Sequence, residues 1–242
     1  MVPLTAPPGF CTSREGRLQI VAREDLPQVT VLLRRWAAGA LPPGRPLEGG
    51  RGAAAAFALD SRLSVVLRPY RRGGLVARFN QARYLGFSPR PFEELRTATA
   101  ISAAGVPTPE PLGAAVLWDC PGVYRGAVAT REVAGASNLW RHLQSVAVPA
   151  RAAACAAAAA AARQLHHAGA LHPDLNLQNF LVRAGGGGLE AWLIDLDGVR
   201  FAPVTARARR NAFERVCRSI RKLDPESAVI TLACVEAFRA GL

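Results

Sequence analysis

The sequence predicts an α+β protein of two lobes, a small β-rich lobe followed by a helical one. Three observations carry that expectation. Apolar runs bounded by turn residues dominate the first half, runs of helix formers dominate the second, and Gly135-Ala136-Ser137 makes a break between them. With 242 residues, 50% hydrophobic and 20% charged, the chain can bury the core of one large domain or of two small lobes. That composition, with a mean hydropathy of +0.12, excludes a disordered chain. Thirty basic against eighteen acidic residues give a formal charge of +12, so phosphate, nucleic acid or an anionic membrane face is the expected kind of partner. Lys222 is the only lysine and every other basic residue is arginine.

The elements follow in order. Residues 1–45, rich in Pro and Gly, read as a weakly anchored lead-in with one short helix at Val29–Trp36. Gly49-Gly50-Arg51-Gly52 opens a small-residue run to Leu59, Asp60-Ser61 is a turn, and Leu63–Leu67 is a buried strand, so a hairpin beginning at a glycine loop is expected. Between Arg68 and Arg90 there are six arginines and no acid, which marks an anion-facing patch. Pro91 suits a first helical turn, and Phe92, Leu95, Ala98 and Ile101 follow at helical spacing up to Gly105. Val106–Pro111 is a stiff connector, and Ala114–Trp118 with Tyr124–Val133 makes a second hairpin. Ser137 or Asn138 caps a short helix, an alanine-rich helix runs over 149–167, and Gly169 ends it. Phe180–Val182 and Leu189–Ile194 are strands flanking a four-glycine turn, and helices close the chain over 206–222 and 226–240.

Several classes are excluded on composition. The five cysteines, scattered and never in a C-x-x-C pair, argue against zinc and against a disulfide framework, and read as buried free thiols of a reducing compartment. The first residues lack a basic start and an apolar core, so no signal peptide is expected. No run supplies the ~20 apolar residues of a spanning helix, and the alanine run at 152–162 is too short and too weakly apolar. No nucleic-acid reading module accompanies the arginines, so nucleic acid is not an expected partner.

The chemistry lies in His172-Pro173-Asp174-Leu175-Asn176-Leu177-Gln178-Asn179, a hairpin, and Ile194-Asp195-Leu196-Asp197-Gly198. A carboxylate in reach of an acceptor hydroxyl can orient or deprotonate it, and Asp174 is the candidate. Magnesium asks for hard oxygen ligands, and Asn179 and Asp195 offer a carbonyl and a carboxylate that the hairpin returns to one place. His172 reads as a buried histidine that orients the loop, in preference to a metal ligand.

This pattern resembles the catalytic and metal-binding loops of the protein-kinase-like fold. More narrowly, Tyr70–Val76, Gly105–Pro111, Leu165–Gly169, His172–Asn176 and Trp192–Asp197, with Asn211, Arg215 and Arg218–Lys222 further on, resemble the bacterial Kdo kinase family, kinases of the lipopolysaccharide inner core. The resemblance runs from about Gly49 to Leu223. It implies a two-lobed protein-kinase-like fold with a β-rich N-lobe over 46–135, which binds nucleotide, and a shortened helical C-lobe over 136–242 with the catalytic and metal loops and a basic helical tail. It implies transfer of the γ-phosphate of ATP, with Mg2+, to a hydroxyl of Kdo in a lipid A precursor, on the cytoplasmic face of the inner membrane.

By matching position, Gly50, Arg51 and Gly52 would form the loop above the phosphates, and Arg68 would stand where a kinase has its phosphate-holding lysine, with Glu94 as its helix partner. Glu132 would lie near the adenine. Asp174 would serve the acceptor hydroxyl, and Asn179 and Asp195 would hold metal. Three departures accompany the resemblance. No lysine is available for the phosphates, Asp197 replaces the glycine that usually follows the metal aspartate and is a candidate second metal ligand, and Gly198 stands where a basic residue is expected. Forty-seven residues follow Asp195 with no Ala-Pro-Glu segment, so a small or glycolipid acceptor is expected and a protein substrate is not. A basic amphipathic helix at 207–222, with Phe213, Val216, Ile220 and Leu223 as its apolar stripe, would suit an anionic membrane surface, or else pack on the core with a solvated arginine face. Another small-molecule phosphotransferase, or a pseudokinase that binds an anionic glycolipid, remains open.

Overall fold

In the computed structural model the described residues are 5–47, 54–70 and 83–242. They form two compact units, one of residues 1–99 and 110–132, the other of residues 100–109 and 133–242.

The first unit is an antiparallel sheet with a helix on each face. Its strands are β1 (Phe10–Glu15), β2 (Leu18–Arg23), β3 (Arg45–Pro46), β4 (Ala55–Ala58), β5 (Ser64–Pro69), β6 (Tyr84–Leu85), β7 (Pro111–Cys120) and β8 (Val123–Arg131). Helix α1 covers Pro27–Ala37 and α2 covers Arg90–Ala103. The strand order is β1-β2-β7-β8-β5-β4-β3, with β6 also paired to β8. Side chains alternate across this sheet. Ile20, Ala22, Val65, Leu67, Ala127 and Ala129 pack with Val29, Leu32 and Leu33 of α1 on one face. Val21, Ala114, Val116, Tyr124 and Val128 pack with Phe92 and Leu95 of α2 on the other. Leu112 and Ala115 share the α1 face despite their odd spacing, because a register shift between Pro111 and Gly113 moves one residue across the sheet. Both hairpins expected from sequence form.

The lead-in expected over 1–45 is corrected. Its described part supplies β1, β2 and α1, and β2 sits inside the sheet against β7. The cysteine expectation is also corrected: Cys155 and Cys234 are buried, but Cys11 and Cys120 are exposed and Cys217 is partly so.

The second unit contains β9 (Ser137–Asn138), α3 (Leu139–Ser145), α4 (Val148–His167), β10 (Ala170–Leu171), β11 (Phe180–Gly185), β12 (Gly188–Leu193), β13 (Arg200–Phe201), α5 (Ala206–Leu223) and α6 (Leu232–Gly241). The last helix begins at Leu232, later than the expected 226, because Thr231 caps it through the Cys234 N–H. The alanines of α4 are a packing device. Ala154, Ala158, Ala159, Ala161 and Ala162 are buried. A Cβ at Gly241 of α6 would fall 2.5 Å from the Ala159 Cβ, so both helices need small residues there. Gly169 has a φ of +72° just past α4, and its N–H bonds back to the His166 carbonyl, which ends the helix ahead of the loop that carries His172 and Asp174.

Candidate active site

In the second unit β11 and β12 form a hairpin in which Phe180 faces Leu193. One residue beyond that pair, the Ile194 N–H donates to the Asn179 carbonyl at 3.0 Å, so the hairpin returns Asp195 to the neighbourhood of Asn179. Leu175, Leu177 and Leu196 are buried pegs that fix the two loops from below. A 3-10 turn at Leu177–Asn179 is capped by Asn176, whose Oδ1 accepts the Gln178 N–H at 2.9 Å.

His172 joins the loops. It is only 4% exposed. Its Nδ1 accepts the Asp174 N–H at 3.1 Å, and its Nε2 lies 3.3 Å from the Ile194 carbonyl. This pair of contacts fits the neutral ring with its proton on Nε2. Burial pushes the imidazole below its ordinary pKa, and Arg215 adds to that, while the Ile194 contact and the carboxylates of Asp195 and Asp174 oppose it. Asp174 is exposed, and its Oδ2 accepts from Asn176 Nδ2 at 3.0 Å.

Asn179 is 9% exposed. Its Nδ2 donates to the Asp174 carbonyl at 2.8 Å, which fixes the amide orientation and leaves Oδ1 as the free oxygen donor. Asp195 is exposed with a φ of +58°, a backbone region that aspartate tolerates better than most residues. Its neighbours hold it there, Ile194 by its N–H bond and Leu196 by burial. Asp197, two residues on and past the buried Leu196, is partly exposed. Among the described residues no cluster of three or more His, Cys, Asp and Glu side chains is arranged to hold an ion. An amide oxygen and a carboxylate are nevertheless the hard donors a magnesium ion takes when phosphate oxygens complete its shell, so the donor chemistry fits.

In the first unit Arg68 on β5 and Glu94 on α2 pair as expected. One guanidinium nitrogen lies 2.6 and 2.7 Å from the two Glu94 oxygens. The Tyr70 hydroxyl also donates to Glu94, and the Arg68 guanidinium lies 5.1 Å from the Tyr70 ring centre. Glu94 is 8% exposed and Arg68 31%, so the cation is partly exposed while its carboxylate is buried. The Glu132 carboxylate is engaged by Arg45 and by the Ser64 hydroxyl, so its side chain is turned to these two residues. Gly50, Arg51 and Gly52 lie outside the described residues, as do Arg71, Arg72 and Arg78 of the arginine run.

The model of the lipopolysaccharide kinase (Kdo/WaaP) family matches residues 43–239. The chain belongs to this family. A Kdo/WaaP relative called 3-deoxy-D-manno-octulosonic acid kinase, from Xanthomonas campestris pv. campestris (strain B100), is 36% identical over 234 residues, covering 92% of this chain and 89% of that protein. One of the same description from Stenotrophomonas maltophilia (strain K279a) is 34% identical over 241 residues, covering 95% and 91%. The solved structure of WaaP in complex with acyl carrier protein matches with a TM-score of 0.52 and 16% identity, over 90% of this chain and 82% of that one. The fold is therefore that of the kinase-like Kdo/WaaP proteins, with a β-rich lobe and a helical lobe.

Sequence reasoning missed the residues that hold this Kdo/WaaP loop in place. Thr108, from the connector read only as stiff, donates its hydroxyl to the Leu193 carbonyl at 2.9 Å, and the Leu193 N–H donates to the Pro107 carbonyl. Ser219 of α5 accepts the Leu177 N–H at 3.2 Å. Both act on backbone groups far away in sequence, which leaves no local signal. In helix α5, Ala212 and Val216 are buried, whereas Arg207, Arg210, Arg218, Arg221 and Lys222 are exposed. Of the apolar stripe named from sequence, Val216 is buried and Phe213, Ile220 and Leu223 are partly exposed. No helix among the described residues is long and apolar enough to cross a membrane.

Proposed function

We propose that this chain transfers the γ-phosphate of ATP to a hydroxyl of Kdo in a lipid A precursor, as part of lipopolysaccharide core synthesis. The observation that carries the reading is the His172 brace. It ties the loop of Asp174 to the strand end that bears Asp195, which is the arrangement that phosphoryl transfer by positioning requires. Asp174, exposed beside the brace, takes the acceptor hydroxyl as hydrogen-bond donor and receives its proton. The Asn179 oxygen and the Asp195 carboxylate hold Mg2+, and Asp197 is the candidate for a further contact to it. A bound magnesium ion would neutralise phosphate charge as the transfer proceeds. Arg68, steadied by Glu94 and Tyr70, binds the nucleotide phosphates in place of a lysine. Gly50, Arg51 and Gly52 supply backbone N–H groups to the phosphates, and the backbone beside Glu132 serves the adenine. The exposed cations of α5 favour an anionic surface at about 1 kcal/mol each near it, which suits a peripheral place on the cytoplasmic face of the inner membrane.

The test is transfer of labelled γ-phosphate from ATP–magnesium to a Kdo-bearing lipid A precursor by the native chain and by Asp174→Ala. Transfer that falls by about 100-fold or more in the variant, with nucleotide still bound, supports the reading. A native chain that binds nucleotide and transfers nothing to this acceptor removes it.

A further inference from the structure

Helix α5 is fastened to the catalytic loop through Ser219, whose hydroxyl takes the Leu177 N–H. Arg215 stands one turn earlier on the same helix, and positions four apart share a helix face. Its side therefore turns toward the loop, while Ala212 and Val216 face the core. A second observation agrees: the charge of Arg215 reaches the buried ring of His172, the residue that braces Asp174. Arg215 is half-buried, and among the described residues it makes no ion pair or hydrogen bond. Elsewhere in the chain many arginines are paired, as Arg131 is with Glu110 and Arg183 with Glu190. A half-buried guanidinium on the helix face that meets this loop, with no partner of its own among the described residues, is placed for an anion from outside.

We propose that Arg215 binds the carboxylate of the sugar-acid acceptor and so sets the acceptor hydroxyl against Asp174. This rests on the reading of the acceptor given above. The planar guanidinium fork fits a carboxylate through two parallel N–H donors, and a neutral sugar would leave it unpaired. Arg215 is thus a binding and specificity residue that takes no part in proton transfer.

The experiment compares the full chain in its native form with Arg215→Ala and Arg215→Lys. Each is titrated with a Kdo-bearing lipid A precursor and with its carboxyl methyl ester, both in neutral detergent micelles. Nucleotide affinity and phosphate transfer are measured alongside. The native chain is expected to prefer the acid over the ester by about tenfold to a hundredfold. Arg215→Ala should bind both forms alike, at the level of the ester, with nucleotide affinity unchanged, and Arg215→Lys should recover part of the preference. A general structural defect would weaken acid and ester equally and would not be rescued by lysine. Equal binding of acid and ester by the native chain overturns the proposal, as does a preference that survives in Arg215→Ala. A fall in nucleotide affinity in step with acceptor affinity also overturns it, by assigning Arg215 to the nucleotide. A native chain that prefers the acid and transfers no phosphate sinks the catalytic reading and leaves Arg215 as an anion site. Transfer to acid and ester at equal efficiency does the reverse.

Discussion

The Arg68–Glu94 pair of the first unit and the loop of Asp174, Asn179 and Asp195 in the second are built by different means. Arg68 and Glu94 project from a strand and a helix whose backbones are already satisfied, and they meet through side chains alone, with Tyr70 as a third partner. Asp174, Asn179 and Asp195 sit on irregular backbone. They are held group by group, through His172 to Asp174 and Ile194, Asn179 to the Asp174 carbonyl, Thr108 to Leu193 and Ser219 to Leu177. A regular element positions a side chain at no extra cost, whereas a loop needs an anchor for each backbone group that neither ladder nor helix satisfies. Loss of an anchor in the second unit should therefore damage stability and turnover together. Loss of a partner in the first unit should damage nucleotide binding and little else.

The largest effect is expected at His172. His172→Ala removes the partners of the partly buried Asp174 N–H and Ile194 carbonyl and opens a cavity, which costs about 2–4 kcal/mol. Thermal unfolding should show the loss, and phosphate transfer should fall at least about tenfold through misplacement of Asp174. The pH dependence has a definite sign. The folded ring titrates below its ordinary value because burial disfavours the charged form. Its contribution is therefore complete above the unfolded imidazole pKa of about 6.5 and is lost as pH falls through the lower folded value. Native stability should decline on acidification in that window, and His172→Ala should lack that part of the decline. If the variant melts like the native chain, the loop is not held as described.

The next effect tests the other half of the comparison. Glu94→Gln keeps the shape but removes the charge opposite Arg68, and Arg68→Ala removes the cation. We expect the KM for ATP to rise about tenfold in Arg68→Ala and less in Glu94→Gln, with the melting temperature shifted by only a few degrees. Arg68→Lys should retain more activity than Arg68→Ala, since charge survives while the guanidinium contact to Glu94 is altered. A collapse of folding in Arg68→Ala would break the comparison, because the pair would then be structural in the way that His172 is.

These two regions also show what the sequence disclosed. The spacing of His172, Asp174, Asn179 and Asp195 is a local signal carried by one strand-turn-strand, and the structure returns the same residues to neighbouring positions. Arg68 and Glu94 were legible because each falls at a definable place on a regular element. Strand β1 was not legible: only Phe10 of its six residues is buried, so the alternation that marks a strand is missing from an edge strand wetted on both faces. Its partner β2 is buried almost throughout and gives an apolar run without a period. Thr108, Ser219 and Arg215 lie in segments that carry the family resemblance, but their contacts were not legible, for another reason. Their meaning depends on which distant backbone they meet, and no spacing within the chain encodes that.

The smallest effect sharpens the comparison by using an anchor that bears no reacting group. Asp224, at the end of α5, accepts the N–H groups of Ala228, Val229 and Ile230 at 2.9, 3.0 and 2.7 Å and shapes the turn into α6. Burial resists its ionisation, but these three donors and the nearby Arg151 outweigh that and hold its pKa below the ordinary carboxylate value. The depressed folded pKa means that its contribution is present above the unfolded value of about 3.9 and is lost as pH falls through the folded one. Asp224→Asn keeps part of the hydrogen bonding, so we expect a loss of about 1 kcal/mol near neutral pH that narrows below pH 4. The kcat and both KM values should stay within about twofold of native. A large loss of transfer with a small loss of stability would show that the turn between α5 and α6 is coupled to the Ser219 anchor. Backbone anchoring in the second unit would then be one connected network, and the contrast with the Arg68–Glu94 pair would be sharper still.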